Sequence, residues 1–330
     1  MIKTIKKDRS IKAGALSGPC FWLYEASITC VGIRLQMSSS ASASCGSGRQ
    51  RSQKEKLYMS RKVALSRCFV YNNSIMNRNI VITIEYDGSV FHGWQRQPDC
   101  LTVQGMIEEA LEILCGKPVE INGTSRTDAG VHAYGQKASF SGDFGIPTGR
   151  IAYALNNLLS SDRWGEAAGA VRITEAAEAE PDFHARFSAK GKTYLYKIFN
   201  LPLMEVFRRN YCYHIPEKLD LGQMRKAASY MEGTHDFVCF QASGGQERET
   251  TVRTISSITI EEADEGYVYI RVTGDGFLYN MVRIITGTLV EAGLGKTAPE
   301  KVKTIIESKD RALAGHTAPP QGLYLEQIYY

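Results

Sequence analysis

A polar loop set between two strand-like runs constrains this chain more than any other feature. Pro118-Val-Glu-Ile-Asn122 leads into it, and the alternating run Gln136-Lys-Ala-Ser-Phe140 leads out. The connection reads Gly123-Thr-Ser-Arg-Thr-Asp-Ala-Gly-Val-His132-Ala-Tyr-Gly-Gln136. Strand, tight loop, strand presents a side chain at a sheet edge, and Gly123 and Gly130 let the backbone turn sharply or approach a ligand closely. Arg126 and Asp128 stand two residues apart, with small Ala129 leaving room beside the carboxylate. A neighbouring cation favours the ionised carboxylate, which suits a nucleophile or base better than a general acid. Asp128-Ala-Gly130 alone also reads as a turn, since Asp and Gly dominate turns.

With 330 residues and 43% hydrophobic content, the chain can bury a large core in one or two domains. No stretch has the length and apolarity of a membrane-spanning helix. The net charge of +4 hides an asymmetry: residues 1–75 hold 13 Lys/Arg against 3 Asp/Glu, and the rest hold 26 against 32. A mildly acidic body gives no general support for nucleic-acid binding, so an RNA site must be a local basic patch. The eight cysteines are scattered without a Cys-x-x-Cys pair, which fits neither zinc nor a disulfide framework and points to a reducing compartment. No phosphate-binding glycine loop or metal-ligand spacing is present, and neither a cofactor nor a metal is expected.

Residues 1–75 are basic, Ser-rich and without a sustained period, and are read as disordered. Three origins compete: an organelle-targeting peptide, a basic arm adding RNA affinity, or upstream sequence before a true start at Met76 or Met59. The last is favoured.

From there the chain alternates. A strand is expected at Asn79 to Tyr86, then the aromatic and polar loop Phe91-His-Gly-Trp-Gln-Arg-Gln97, read as a base-contacting surface or as a plug of the sheet edge. Thr102 caps a helix to Cys115, with Val103, Ile107, Leu111 and Leu114 inward and Glu108, Glu109 and Glu112 outward, stopped by Gly116-Lys-Pro118. Pro147 opens a second helix with Ile151, Ala154, Leu155 and Leu158 inward. In the strand from Lys192, alternation puts Lys192, Tyr194, Tyr196 and Ile198 on one face, as sheet packing or as a stacking surface with a phenol for proton transfer. Asp220 caps a helix through Met231; strands follow at 252–261 and 267–273, then a helix from Leu278 to Ala292 and another over 299–308. The pattern is α+β, with strand pairs close in sequence, rather than doubly wound. In the helix from Leu278, Arg283 stands among apolar neighbours, where a cation either finds a carboxylate or snorkels to solvent.

Arg126-Thr-Asp-Ala-Gly-Val-His-Ala133 resembles the signature of the tRNA pseudouridine synthases of the TruA family. Other segments resemble that family in the same order: Gly93-Trp-Gln-Arg-Gln97, Phe183-His-Ala-Arg-Phe187, Lys192-x-Tyr-x-Tyr196, Phe277-x-x-x-Met-Val-Arg-x-x-x-Gly287 and the closing run 317–325. The resemblance implies two similar α/β lobes, 76–180 and 181–330, whose mixed, largely antiparallel sheets join across a central RNA-binding cleft. It implies isomerisation of uridine to pseudouridine at positions 38–40 of the tRNA anticodon stem-loop, by a homodimer. The expected location is the cytoplasm, or an organelle if residues 1–75 are a transit peptide. It also assigns parts. Asp128 becomes the essential carboxylate, Arg283 its partner, Tyr194 the residue stacked on uracil, and Arg126 the side chain that displaces the target nucleotide. His132, Gln95, Arg96, His184, Arg186, Lys192 and Phe277 become further RNA contacts. Two departures stand out. Ser125 replaces a frequent Gly, restricting the loop or adding a hydrogen bond, and the segment 160–166 is long for its place. The rival reading is a noncatalytic RNA-binding protein that keeps the fold.

Overall fold

The structure is a computed structural model that describes residues 77–142, 145–245 and 249–330. These belong to one compact unit, Lys62–Tyr330, and the expectations about residues 1–75 lie outside them. The first strand, β1 (Arg78–Tyr86), carries Ile80, Ile82, Ile84 and Tyr86 inward by simple alternation. Thr102 caps helix α1 (Val103–Cys115), its hydroxyl accepting from the Gly105 N–H, and Gly116 closes it at φ 73°. The short β2 (Asn122–Gly123) leads through the polar loop into β3 (His132–Gly142). Helix α2 (Thr148–Leu159) follows, then β4 (Val171–Ala179), β5 (Gly191–Phe199) and the short β6 (Tyr213–His214). Helix α3 (Leu221–Ser229), β7 (Gly233–Asp236), β8 (Val252–Glu262) and β9 (Tyr267–Gly274) precede α4 (Met281–Gly293), α5 (Lys301–Ser308) and β10 (Leu323–Tyr329).

Among the described residues, the ten strands form one sheet in the order β4-β1-β3-β10-β5-β9-β8-β7, with β2 on β3 and β6 on β5. Pairing is antiparallel except for β10 with β3 and β6 with β5. The expected α+β class with a mixed, largely antiparallel sheet is therefore what the chain adopts. Strand β10 is the joint: it pairs with β3 on one side and β5 on the other. Register puts Tyr86 of β1, Ala133 of β3, Leu325 of β10 and Tyr194 of β5 on one face. Buried side chains from that face and from all five helices merge into one apolar core.

Several local expectations are corrected. Glu108 faces inward, because its carboxylate accepts from Arg96 Nε (2.7 Å), Gln104 Nε2 (3.0 Å) and the Ile121 N–H (3.2 Å), so the buried charge is satisfied. In α2, Leu159 is fully buried while Leu158 is only half so. Helix α4 starts at Met281 rather than Leu278, because Asn280 takes a left-handed φ of 58° at its N-cap. The closing strand begins at Leu323 rather than Thr317, since Pro319 and Pro320 have no N–H for a ladder. Strand β4 went unread in the sequence.

Residues 314–318 run instead along α4 at backbone contact. A Cβ placed on Gly287 would lie 1.8 Å from the His316 carbonyl oxygen, and Ala318 exchanges hydrogen bonds with Arg283 through both its N–H (3.1 Å) and its C=O (2.7 Å). Only a residue without a side chain fits that approach. Gly287→Ala is expected to destabilise the fold by about 2 kcal/mol or more, as overpacking does, read as a lower urea midpoint with an unchanged slope.

Candidate active site

The loop after β2 is pinned before any functional side chain is considered. The Ser125 N–H donates to Gln136 Oε1 (3.2 Å), and Gln136 Nε2 returns a bond to the Ser125 carbonyl (2.6 Å). Thr127 Oγ1 lies 2.7 Å from the buried Tyr86 hydroxyl, and the Thr127 carbonyl accepts the Trp94 N–H (3.0 Å). Gly93, at φ 90°, makes that contact possible, since a Cβ there would meet the Thr127 carbonyl oxygen at 2.6 Å. Trp94 is 2% exposed and packs against Gly123, so the aromatic loop mainly buttresses the polar one from behind. The Val131 N–H closes a turn onto the Asp128 carbonyl (3.2 Å) with Gly130 at φ 77°. Asp128-Ala-Gly130 is thus a turn and also the holder of a carboxylate. The two readings coincide.

This loop, the 184–192 region and the start of α4 line a cleft of about 950 Å³. Arg126, Asp128, Tyr194, Arg283, Gln95, His184, Arg186, Lys192 and Phe277 all border it. Two expected contacts are not brought there. His132 is 2% exposed; its ring stacks on Tyr324 at 4.7 Å, Nδ1 accepts the Gly88 N–H (3.0 Å), and Nε2 reaches the Asn210 carbonyl (3.1 Å). Alternation from Ala133 puts it on the opposite sheet face from Tyr194, where it braces the end of the loop. Arg96 is spent on Glu108 and the Gly105 carbonyl (3.3 Å).

Asp128 and Arg283 meet across the joint, with Oδ2 and Nη1 3.4 Å apart. The guanidinium is held from the rear: Nε donates to the Ala318 carbonyl (2.7 Å) and Nη1 to Asn280 Oδ1 (2.6 Å). The left-handed Asn280 was not legible in the sequence; its backbone strain buys an acceptor for Arg283. Burial pushes the Asp128 carboxyl above its ordinary value, and the positive charge of Arg283 opposes that without cancelling it. The cation that favours the ionised carboxylate is Arg283 rather than the sequence neighbour Arg126, and it works against the larger effect of desolvation.

Tyr194 sits edge-on to Phe277, with ring centroids 5.2 Å apart. Burial pushes its phenol up to about 12, helped by the nearby Asp128 charge and opposed by the bond to Ser125. Ser125 does add hydrogen bonds, accepting from Lys192 Nζ (2.7 Å) and from the Tyr194 hydroxyl (3.3 Å). One small hydroxyl therefore ties the loop to β5. Among the described residues, no group of three or more His, Cys, Asp or Glu is placed to hold a metal, and no helix is long and apolar enough to cross a membrane.

The family model for tRNA pseudouridine synthase matches residues 82–188 and 227–330, segments that contain Asp128 and Arg283. This chain belongs to that family. It is 48% identical over 253 residues to tRNA pseudouridine synthase A of Acetivibrio thermocellus, covering 77% of this chain and 100% of the relative. The corresponding enzyme of Ruminiclostridium cellulolyticum is 49% identical, and that of a Thermoanaerobacter species 47%, each over 253 residues with the same coverage.

The opposition of burial and charge at Asp128 can be read directly. In a carboxyl carbon NMR titration, Asp128 is expected to titrate above the ordinary carboxylate value, and Arg283→Met to raise it further. Because the folded carboxyl holds its proton more tightly than the unfolded one, the stability due to Asp128 is full below the unfolded value. It declines as pH rises through the folded one. An unmoved titration in Arg283→Met would contradict the electrostatic role of Arg283.

Proposed function

We propose that this chain isomerises uridine to pseudouridine in tRNA, with Asp128 as the essential carboxylate. The observation that supports this most is the half-buried Asp128 facing Arg283 in a cleft that Tyr194 also lines. The reaction breaks the N1–C1′ bond, turns the uracil, joins C5 to C1′, and moves the C5 proton away while N1 gains one. Nothing is oxidised or reduced. Whether Asp128 adds to the ribose, adds to the base or takes a ribose proton, it must be ionised to act. Arg283 supports that form against the desolvation of the site. Tyr194 would hold the uracil by its ring, and its phenol, pushed up to about 12, would stay protonated and available as a donor.

A uridine in a stem must first leave the stack, at a cost on the order of a few kcal/mol. Arg126, exposed on the same loop as Asp128, would fill the vacated place. Gln95, His184, Arg186 and Lys192 would offset the rest through RNA contacts, the cations by pairing with phosphates. The finer reading assigns lobes 76–180 and 181–330, a target among positions 38–40 of the anticodon stem-loop, a homodimer as the working unit and the cytoplasm as its place.

The test incubates an unmodified tRNA transcript with wild type and with Asp128→Asn, then maps pseudouridine by carbodiimide-dependent primer-extension stops. Wild type is expected to give stops in the anticodon stem-loop, and Asp128→Asn to be slower by at least about a thousandfold while still binding tRNA. Wild type that binds tRNA but gives no stops would favour the noncatalytic RNA-binding reading.

A further inference from the structure

Phe187 is 76% exposed, and it stands on the rim of the Asp128 cleft rather than on open surface. A single exposed aromatic is ordinary on a protein surface, but this one borders the cleft that holds Asp128 and is held there by its own hydrogen-bonded turn. The turn that carries it is held by its own hydrogen bonds. The Ser188 N–H closes onto the His184 carbonyl (2.9 Å), His184 Nδ1 accepts the Arg186 N–H (3.1 Å) and the Phe187 N–H (3.4 Å), and the His184 N–H donates to Ser188 Oγ (3.1 Å). Ala185, fully buried, anchors the turn through Ser139 Oγ (3.1 Å) and the Thr124 hydroxyl (3.0 Å). Thr124 immediately precedes Ser125 in the Asp128 loop, so the ring is fixed to the same frame as the carboxylate. The His184 ring lies 4.4 Å from that of Phe187, and the Arg186 guanidinium 5.6 Å from its centre.

We propose that Phe187 is the surface on which a nucleobase flanking the target uridine stacks. This rests on the proposed function. Turning one nucleotide out strips its neighbours of a stacking partner, and an aromatic face held at the cleft mouth restores one. Arg186 beside it supplies a cation for the adjoining phosphate. A flat apolar ring next to a guanidinium matches a base and its phosphate better than it matches an aliphatic ligand.

The test uses the full chain as Phe187→Ala, Phe187→Leu and Phe187→Trp. Phe187→Ala is expected to raise KM for tRNA about tenfold, from the loss of one stacked base, with kcat within about twofold. Phe187→Trp should restore KM and Phe187→Leu should not. Thermal unfolding of Phe187→Ala should match wild type, as the ring buries little in the fold. Independently of turnover, a transcript with 2-aminopurine beside the target uridine should be quenched on binding Asp128→Asn enzyme. It should not be quenched when Phe187→Ala is added to that variant. An unchanged KM in Phe187→Ala, a Leu variant as good as the Trp one, or a quench that survives Phe187→Ala would overturn the proposal. Wild type that makes no pseudouridine would instead sink the proposed function, leaving the quench as the test of Phe187.

Discussion

A carboxylate whose partial burial disfavours its charge faces a guanidinium that favours it, and much of the structure serves to hold the two together. Asp128 comes from the loop between β2 and β3, and Arg283 from α4, two elements far apart in sequence. Neither could hold the other alone. The carboxylate's loop is locked by Gln136, Tyr86 and the Trp94 backbone, while the guanidinium is locked by Asn280 and the Ala318 carbonyl. Both side chains thus arrive with little freedom left to lose, which is what makes a partly desolvated pair tolerable. The pair depends in turn on Gly287, whose missing side chain lets residues 314–318 lie against α4.

The electrostatics are local throughout. The body of the chain is mildly acidic, yet the cleft is lined by Arg126, Arg186, Lys192, Arg253 and Arg283 against Glu120, Asp128 and Asp275, so cations outnumber carboxylates there. Other acidic residues are satisfied elsewhere, as Glu108 is by Arg96 and Glu326 by Arg271. A polyanion would therefore meet positive charge at the cleft despite the sign of the whole.

What the sequence disclosed follows from how local each signal is. Thr102 and Gly116 bracket α1 by capping chemistry that needs no tertiary partner, and both ends came out where expected. The Asp128 loop was legible because its glycines and charges are compressed into a few residues. Strand β4 was not, because only its first four residues, Val171-Arg-Ile-Thr174, have strand composition, and the Ala- and Glu-rich remainder is held as a strand by the edge that β1 offers. Glu108 was misplaced for a similar reason: helical periodicity cannot foresee that Arg96 and the Ile121 N–H will meet its carboxylate. His132 sits within the most informative motif and yet faces away, since alternation along β3 turns it toward Tyr324. Motif membership located the neighbourhood, and sheet register decided which residues look into the cleft.

The central position of β10 also shapes how the molecule is made. As the chain emerges from the ribosome, β3 and β5 are each complete long before residues 323–329 exist, and each presents an unpaired edge in the meantime. The missing strand is the one that fills both edges at once. Until it docks, the halves bearing Asp128 and Arg283 have no shared ladder to set their distance. A chain lacking residues 323–329 therefore leaves an edge of β3 and an edge of β5 short of a partner and has no shared ladder to set the distance between Asp128 and Arg283.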